Sequence, residues 1–288
     1  MEKISRAGRN LRPGFIVIPQ NGLALLSSDG TPAGNPETTY LNAIDGVGQE
    51  ELWYGYDNKD DVPTPDADHA NLSGMCGFAR DHGLKVLVTD YCTSSTHTDD
   101  SYSKNSADNF ISFAADHREL DDIPSYPGIP FHSDTNDITT LSSARNFLYI
   151  ISPSSYATKA DFIHAIAQTN YDVVIMDLFF DESTMINSAD LALLRYKPTG
   201  GMRKLICYMS IGEAESYRWY WKPYWNVTPP SFLVAEDPDW LDNYNVRYWD
   251  QDWQGIICNG NDSYLKRIVN AGFDGVYLDL VSEYEYFE

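Results

Sequence analysis

The chain has 288 residues, 43% of them hydrophobic, and it carries a formal net charge of −22. Such an acidic chain is a poor partner for nucleic acid or anionic membranes, which bind basic surfaces, and no apolar run is long enough to span a bilayer. The length suits one α/β barrel, so we expect a single domain over residues 1–288. The first residues lack the apolar segment of a signal peptide and leave the localisation open.

Short apolar strands alternate with helical stretches along the chain, which is the pattern of a parallel α/β fold. Strands are predicted at residues 15–19, 46–52, 85–89, 146–151, 172–176, 204–210, 245–249 and 272–279. Helices are predicted at about residues 37–44, 66–82, 106–119, 159–169, 184–196, 217–221 and 263–271. Eight such strands favour a closed (β/α)8 barrel, a TIM barrel, over an open doubly wound sheet.

A long stretch from about residue 92 to residue 143 separates the third predicted strand from the fourth. We expect it to be an insertion over the C-terminal face of the barrel, because long loops in compact domains often form a lid or wall for substrate.

The motifs of several common cofactor and metal sites are absent. The chain has no GxSxG, P-loop or GxGxxG sequence, and its six histidines show no HxH or HExxH spacing. We therefore expect no cofactor and no zinc site. None of the four cysteines forms a CxxC pair, so free buried thiols are expected rather than a disulfide framework.

Acids and amides stand at the ends of nearly all the predicted strands. In a (β/α)8 barrel the active site forms at the C-terminal ends of the strands, so these side chains would meet at one mouth. The candidates are Asn21, Glu50 or Glu51, Asp90, Tyr91, Asp177, Ser210, Glu213, Asp250 and Asp279, with Arg218 nearby.

A mouth of carboxylates with many aromatic residues suits glycoside hydrolysis, which needs two carboxyl groups flanking the scissile bond. Each acid also has a purely structural interpretation. Asp279 could accept hydrogen bonds from loop amides, and Glu213 could interact favourably with the positive N-terminal end of a following helix. Glu50 and Glu51 are adjacent and point to opposite faces of their strand, so at most one of them would be catalytic.

The segment Tyr208-Met-Ser-Ile-Gly-Glu-Ala-Glu-Ser-Tyr-Arg218 resembles a motif of bacterial and archaeal glycoside hydrolases related to endo-α-1,4-polygalactosaminidases, family 114. Residues 172–179 and 272–279 are similar to the same family, as are residues 18–22 and 44–51. Together these segments extend over most of the chain.

The resemblance implies a (β/α)8 barrel that cleaves an α-linked amino-sugar polymer. The family's catalytic Asp matches Asp279, its catalytic Glu matches Glu50, and its strand-end Asn matches Asn21. In the family the strand that carries the Asp precedes those that carry the Asn and the Glu, whereas here it comes last, so the resemblance implies a circular permutation. In a closed barrel the strand of Asp279 and that of Glu50 would then flank the strand that precedes Asn21.

The sequence therefore predicts a glycosidase with Asp279 as nucleophile or base and Glu50 as proton donor. The sugar would be bound by Asn21, Asp90, Tyr91, Asp177, Ser210, Glu213, Arg218 and Asp250. A carbohydrate partner, a monomer and an extracytoplasmic location follow from this hypothesis. The alternatives are a carbohydrate-binding barrel without turnover and a barrel enzyme that uses Glu213 or Asp177 as its base.

Overall fold

Eleven strands and eight α-helices make up most of the regular structure of the protein in the computed structural model, which describes residues 1–288. The strands are β1 (Ile16–Pro19), β2 (Gly46–Glu50), β3 (Lys85–Tyr91), β4 (Ile111–Ala115), β5 (Phe147–Tyr149), β6 (Val173–Met176), β7 (Lys204–Ser210), β8 (Glu213–Glu215), β9 (Leu233–Glu236), β10 (Asn243–Val246) and β11 (Gly275–Asp279). The helices are α1 (Glu2–Leu11), α2 (Thr38–Leu41), α3 (Asp66–Asp81), α4 (Ser95–Ala107), α5 (Lys159–Ala167), α6 (Ser188–Leu194), α7 (Gln251–Gln254) and α8 (Tyr264–Ala271).

A parallel sheet of five strands, in the order β1-β11-β7-β6-β5, forms the centre of the fold. A second parallel sheet has the order β2-β3-β4. All residues of β1, β4, β5 and β6 are buried, as expected for parallel strands with both faces covered. The predicted parallel α/β architecture is therefore confirmed.

The two parallel sheets meet at two edges. Between β1 and β2, the amide of Asn21 donates to the carbonyl of Gly48 at 2.8 Å, and the amide of Asp45 donates to the carbonyl of Val17 at 2.9 Å. β4 and β5 are not hydrogen-bonded neighbours. They approach through side chains, with the buried rings of Phe113 and Phe147 5.9 Å apart. This arrangement is consistent with a TIM-type fold.

Three of the sequence-based strand and helix assignments are wrong, and the first two leave the number of parallel strands unchanged. Residues 245–249 do not form a barrel strand, because β10 pairs antiparallel with β8 and β9 in a separate small sheet. Residues 106–119 are not a helix, because α4 ends at Ala107 and residues 111–115 form the buried strand β4. Part of the predicted insertion therefore belongs to the parallel sheet. Residues 217–221 form turns rather than the predicted helix.

Helices cover the outer faces of the strands, and their local sequences explain where they begin and end. Ser94 caps α4 by accepting from the amide of His97, and Asn187 forms a capping box with Asp190 at α6. α8 buries Leu265 and Ile268 and ends at Gly272, whose φ of 108° suits glycine. None of the helices is long and apolar enough to cross a membrane. The four cysteines are buried thiols, as predicted.

Candidate active site at the ends of β2 and β11

Strand β1 lies between the two strands that carry the predicted catalytic acids. β1 pairs in parallel with β11 from Ile16 opposite Gly275 to Pro19 opposite Leu278. On its other side a parallel bridge joins Gln20 to Gly48 of β2. Because Glu50 ends β2 and Asp279 ends β11, the two acids flank the segment that follows β1. The adjacency predicted for these three strands is confirmed.

The carboxylate of Glu50 is held by three side chains. The Gln20 amide and the Asn21 amide, the latter at 3.3 Å, donate to Oε2, and the Tyr91 hydroxyl donates to Oε1. The backbone amide of Glu50 in turn donates to Oδ1 of Asn21 at 3.2 Å. The donors lie at the ends of β1 and β3, the two strands next to β2. They fix the position of the Glu50 carboxyl group at the end of β2.

Asp279 has a different set of partners. The hydroxyl of Tyr208 donates to Oδ2 at 2.6 Å, and the backbone amide of Leu280 donates to Oδ1 at 2.7 Å. Burial, opposed by the hydrogen bond from Tyr208 and assisted by the charge of Glu50, raises the pKa of Asp279 to about 6. The two acids therefore interact electrostatically, and Asp279 changes charge within the pH range in which an enzyme works.

Two buried tyrosines form the floor beneath the pair. The Tyr149 hydroxyl donates to Oε1 of Gln20 at 2.9 Å, and the rings of Tyr149 and Tyr277 lie 5.1 Å apart. The hydroxyl of Tyr277 has no hydrogen-bond partner, and a Cβ atom at Gly48 would overlap it. Glycine at position 48 is thus required by the close approach of the Tyr277 side chain.

Asp177 and Arg218, both predicted to bind sugar, form an ion pair with each other. The guanidinium donates to the two Asp177 oxygens at 2.9 and 2.5 Å and to Glu215 through Nε at 2.7 Å. All three side chains are buried, and the hydroxyl of Tyr217 also donates to Glu215 at 2.8 Å. This network connects the end of β6 to β8, and most of its hydrogen-bonding capacity is used within the protein.

Glu213 lies on β8, next to the segment that carries Asp279. Its side chain is only 2% exposed, and its Oε1 has no hydrogen-bond partner. Burial raises the pKa of Glu213 to about 9, and a hydrogen bond with Asp237 contributes, so this group is neutral at pH 7. The hydroxyl of Ser210, at the end of β7, donates to the Glu213 carbonyl at 3.3 Å.

Asp90 and Asp250, both predicted to bind sugar, accept hydrogen bonds from nearby groups of the protein. Asp90 is fully buried and accepts hydrogen bonds from two backbone amides and two side chains, which belong to Trp53, Tyr54, Ser101 and Asn105. Asp250 caps α7 by accepting from the amide of Asp252 at 2.8 Å, and it does not follow a strand of the parallel sheets. The strand-end argument for Asp250 fails together with the strand at residues 245–249.

The structure thus brings Glu50, Asp279, Asn21 and Tyr91 together. Sequence reasoning missed Gln20, Tyr208 and Tyr149, which contact the site directly. Tyr208 could have been found, because it shares a face of β7 with Ser210, two residues on. One further group, Asp116, His117 and Asp122, brings possible metal-ligand atoms within 4.8 Å of one another. His117 is already paired with Asp116 and Asp121.

Comparison with known proteins connects this site to a family. The model of the glycoside-hydrolase family GH114 matches residues 132–288, which is just over half of the chain. The matched region includes Asp279, Tyr208, Glu213 and the Asp177–Arg218 pair, whereas Glu50 lies outside it.

Three relatives are described as uncharacterized proteins. The protein of Deinococcus radiodurans is 39% identical over 123 residues, which are 43% of this chain and 37% of that protein. The protein of Methanocaldococcus jannaschii is 36% identical over 151 residues, 52% of this chain and 41% of that protein. The protein of Thermotoga maritima is 44% identical over 82 residues, 28% of this chain and 24% of that protein. The matched parts therefore span well under half of each relative's length.

Proposed function

Because the chain belongs to the glycoside-hydrolase family GH114, we propose that it cleaves an α-linked polysaccharide with Glu50 and Asp279 as its carboxyl pair. Family membership supports a glycoside hydrolase function and a carbohydrate substrate. The observation that carries the residue assignment is the placement of the two acids on either side of β1, at the ends of the two parallel strands that flank it. Glycoside hydrolysis requires such a pair.

We propose the roles that the sequence predicts for the two acids. Glu50 donates its proton to the glycosidic oxygen as the bond from that oxygen to the anomeric carbon breaks. The donors on Gln20, Asn21 and Tyr91 then stabilise the carboxylate that remains. Asp279 in its ionised form attacks the anomeric carbon or takes a proton from the attacking water. A carboxyl separation of about 5 Å would favour retention, and one of roughly 6.5–9.5 Å inversion.

The fold and substrate can be proposed in more detail. The contacts at both edges support one (β/α)8 barrel in a single domain. The position of Asp279 in the last strand favours a circular permutation of the family's strand order. The acidic surface favours a cationic sugar, so we propose an amino-sugar polymer such as α-1,4-linked galactosamine.

The test is reducing-end release from α-1,4-galactosamine oligomers and a wider glycan panel. Glu50→Gln and Asp279→Asn are each expected to lower kcat by ~10²- to 10⁴-fold, since each removes one group of the proton-transfer chemistry. Glu37→Gln and Asp252→Asn are matched controls, because both acids are exposed and outside the site. Full turnover in both site variants would exclude this pair. Glycan binding without turnover by the wild type would identify a carbohydrate-binding barrel instead.

A further inference from the structure

Arg118 lies in the loop after β4, in a region whose strand the sequence did not reveal. Its guanidinium carbon is 4.1 Å from the centroid of the Tyr91 ring. The same guanidinium forms an ion pair with Glu51 at 2.7 Å and donates to the carbonyl of Gly55. The Arg118 side chain is 23% exposed, so it is largely buried against these partners.

The segment after β2 holds an unusual backbone conformation. Glu51 has a φ of 58°, and Gly55 has a φ of 118°. A non-glycine residue in the left-handed region is strained and persists only where its surroundings hold it. Arg118 contacts both residues and therefore fixes the chain directly beyond Glu50.

The ring of Tyr91 is enclosed on two sides. The Arg118 guanidinium lies over it, and a Cβ atom at Gly55 would approach Tyr91 Cδ2 to 2.9 Å. The hydroxyl of this enclosed ring donates to Oε1 of Glu50. Burial raises the pKa of Tyr91 well above its usual value, so the phenol stays protonated and remains a donor.

We infer that Arg118 is a positioning residue for the Glu50 carboxyl group and acts through Tyr91. This inference rests on the proposed function, in which Glu50 is the proton donor. A planar guanidinium stacks on an aromatic face and donates in fixed directions, so it can orient the ring and hold the loop together. Lysine at this position would keep the positive charge but lose the planar group that stacks on the ring and donates in fixed directions.

The kinetic test is a double-mutant cycle between Arg118→Met and Tyr91→Phe, run on the α-1,4-galactosamine oligomers or the glycan of the panel that the wild type cleaves. Arg118→Met alone is expected to lower kcat by ~10- to 100-fold, because misplacing a reacting group costs about that much. KM is expected to change less than about threefold, since substrate binding does not require this contact. In the Tyr91→Phe background, the same substitution is expected to add less than about threefold.

Arg118→Lys is expected to have an intermediate kcat, and Arg145→Met is the matched control, because Arg145 is 51% exposed and pairs with Asp134. Circular dichroism and thermal melting establish whether the variants are folded. If Arg118→Met does not fold, Arg118→Lys replaces it in the cycle. Full additivity of the Arg118 and Tyr91 effects, or wild-type kcat in Arg118→Met, would overturn the inference.

Crystal structures give a readout that does not depend on turnover. In Arg118→Met the Tyr91 hydroxyl is expected to move beyond hydrogen-bond distance, about 3.5 Å, of the Glu50 carboxylate. An unchanged Tyr91–Glu50 hydrogen bond in this variant would overturn the inference. Full turnover in Glu50→Gln would instead remove the proposed function, and the crystal structures would still decide whether Arg118 fixes Tyr91.

Discussion

At the scale of single residues, the two acids of the site are held in different ways. Glu50 is surrounded by side-chain donors from the ends of β1 and β3, whereas Asp279 has one phenol and one backbone amide. Burial dominates the environment of Asp279 and raises its pKa to about 6. A carboxyl group with this pKa is protonated in mildly acidic solution and ionised at neutral pH.

The pKa of Asp279 predicts the pH dependence of catalysis. As nucleophile or base, Asp279 must be ionised, so kcat/KM is expected to fall as the pH drops below about 6. Tyr208→Phe removes the hydrogen bond that lowers this pKa, so the acidic limb should move to higher pH by about one unit or more. Exposed Tyr196→Phe is the control. An activity that instead falls above pH 6 would make Asp279 the proton donor.

At the scale of elements, the sequence revealed strands whose apolar residues form short continuous runs. β1, β3, β6 and β7 were predicted within two residues of their bounds and β11 within three, because each is a short run rich in branched or aromatic residues. β4 was not predicted as a strand, because Ile-Ser-Phe-Ala-Ala contains alanines that favour a helix, although all five residues are buried. The β10 segment looked like a buried strand but pairs antiparallel in a different sheet.

The residues of the candidate site also fall into those that the sequence revealed and those that it did not. The residues found from the sequence stand at the ends of strands, where position alone predicts proximity. Arg118 could not be found in this way, because it follows a strand that was assigned as helix and acts from a loop. Gln20 was overlooked beside Asn21, although its side chain is the one that links Tyr149 to Glu50.

The close contact between β2 and β11 predicts a sharp difference between two glycine substitutions. Gly48→Ala would place a methyl group against the Tyr277 ring, so the free energy of unfolding is expected to fall by ~1–3 kcal/mol. Gly77→Ala lies within α3, where the nearest atom is 3.7 Å away, and is expected to stabilise the protein by ~0.5–1 kcal/mol. Urea unfolding measures both. Equal effects would show that Tyr277 moves aside at little cost.

At the scale of the whole molecule, the charge of −22 surrounds a site that itself contains several carboxyl groups. The summed field of such a protein attracts cationic ligands and slows the approach of anionic ones. The same field is screened by salt, with a Debye length of about 10 Å at 0.1 M ionic strength.

The salt dependence of turnover therefore tests the charge of the substrate. For galactosamine oligomers with free amines, kcat/KM is expected to fall several-fold between low salt and ~0.5 M, because the attraction is screened. The same oligomers after N-acetylation serve as the matched control and should show little change. An equal response of the two substrates would argue that the acidic surface has no part in recognising the sugar.

The pairing of β1 with β11 has a consequence for how the protein folds during synthesis. β11 is synthesised about 260 residues after β1, one of the two strands with which it pairs. Until then β1 lacks a partner on one edge, and Asp279 is absent from the side of Gln20 and Asn21. Contacts this distant in sequence form slowly, and unpaired strand edges promote aggregation. The proposed pair of Glu50 and Asp279 is therefore assembled only when β11 pairs with β1, and that edge of β1 stays unpaired in the nascent chain until then.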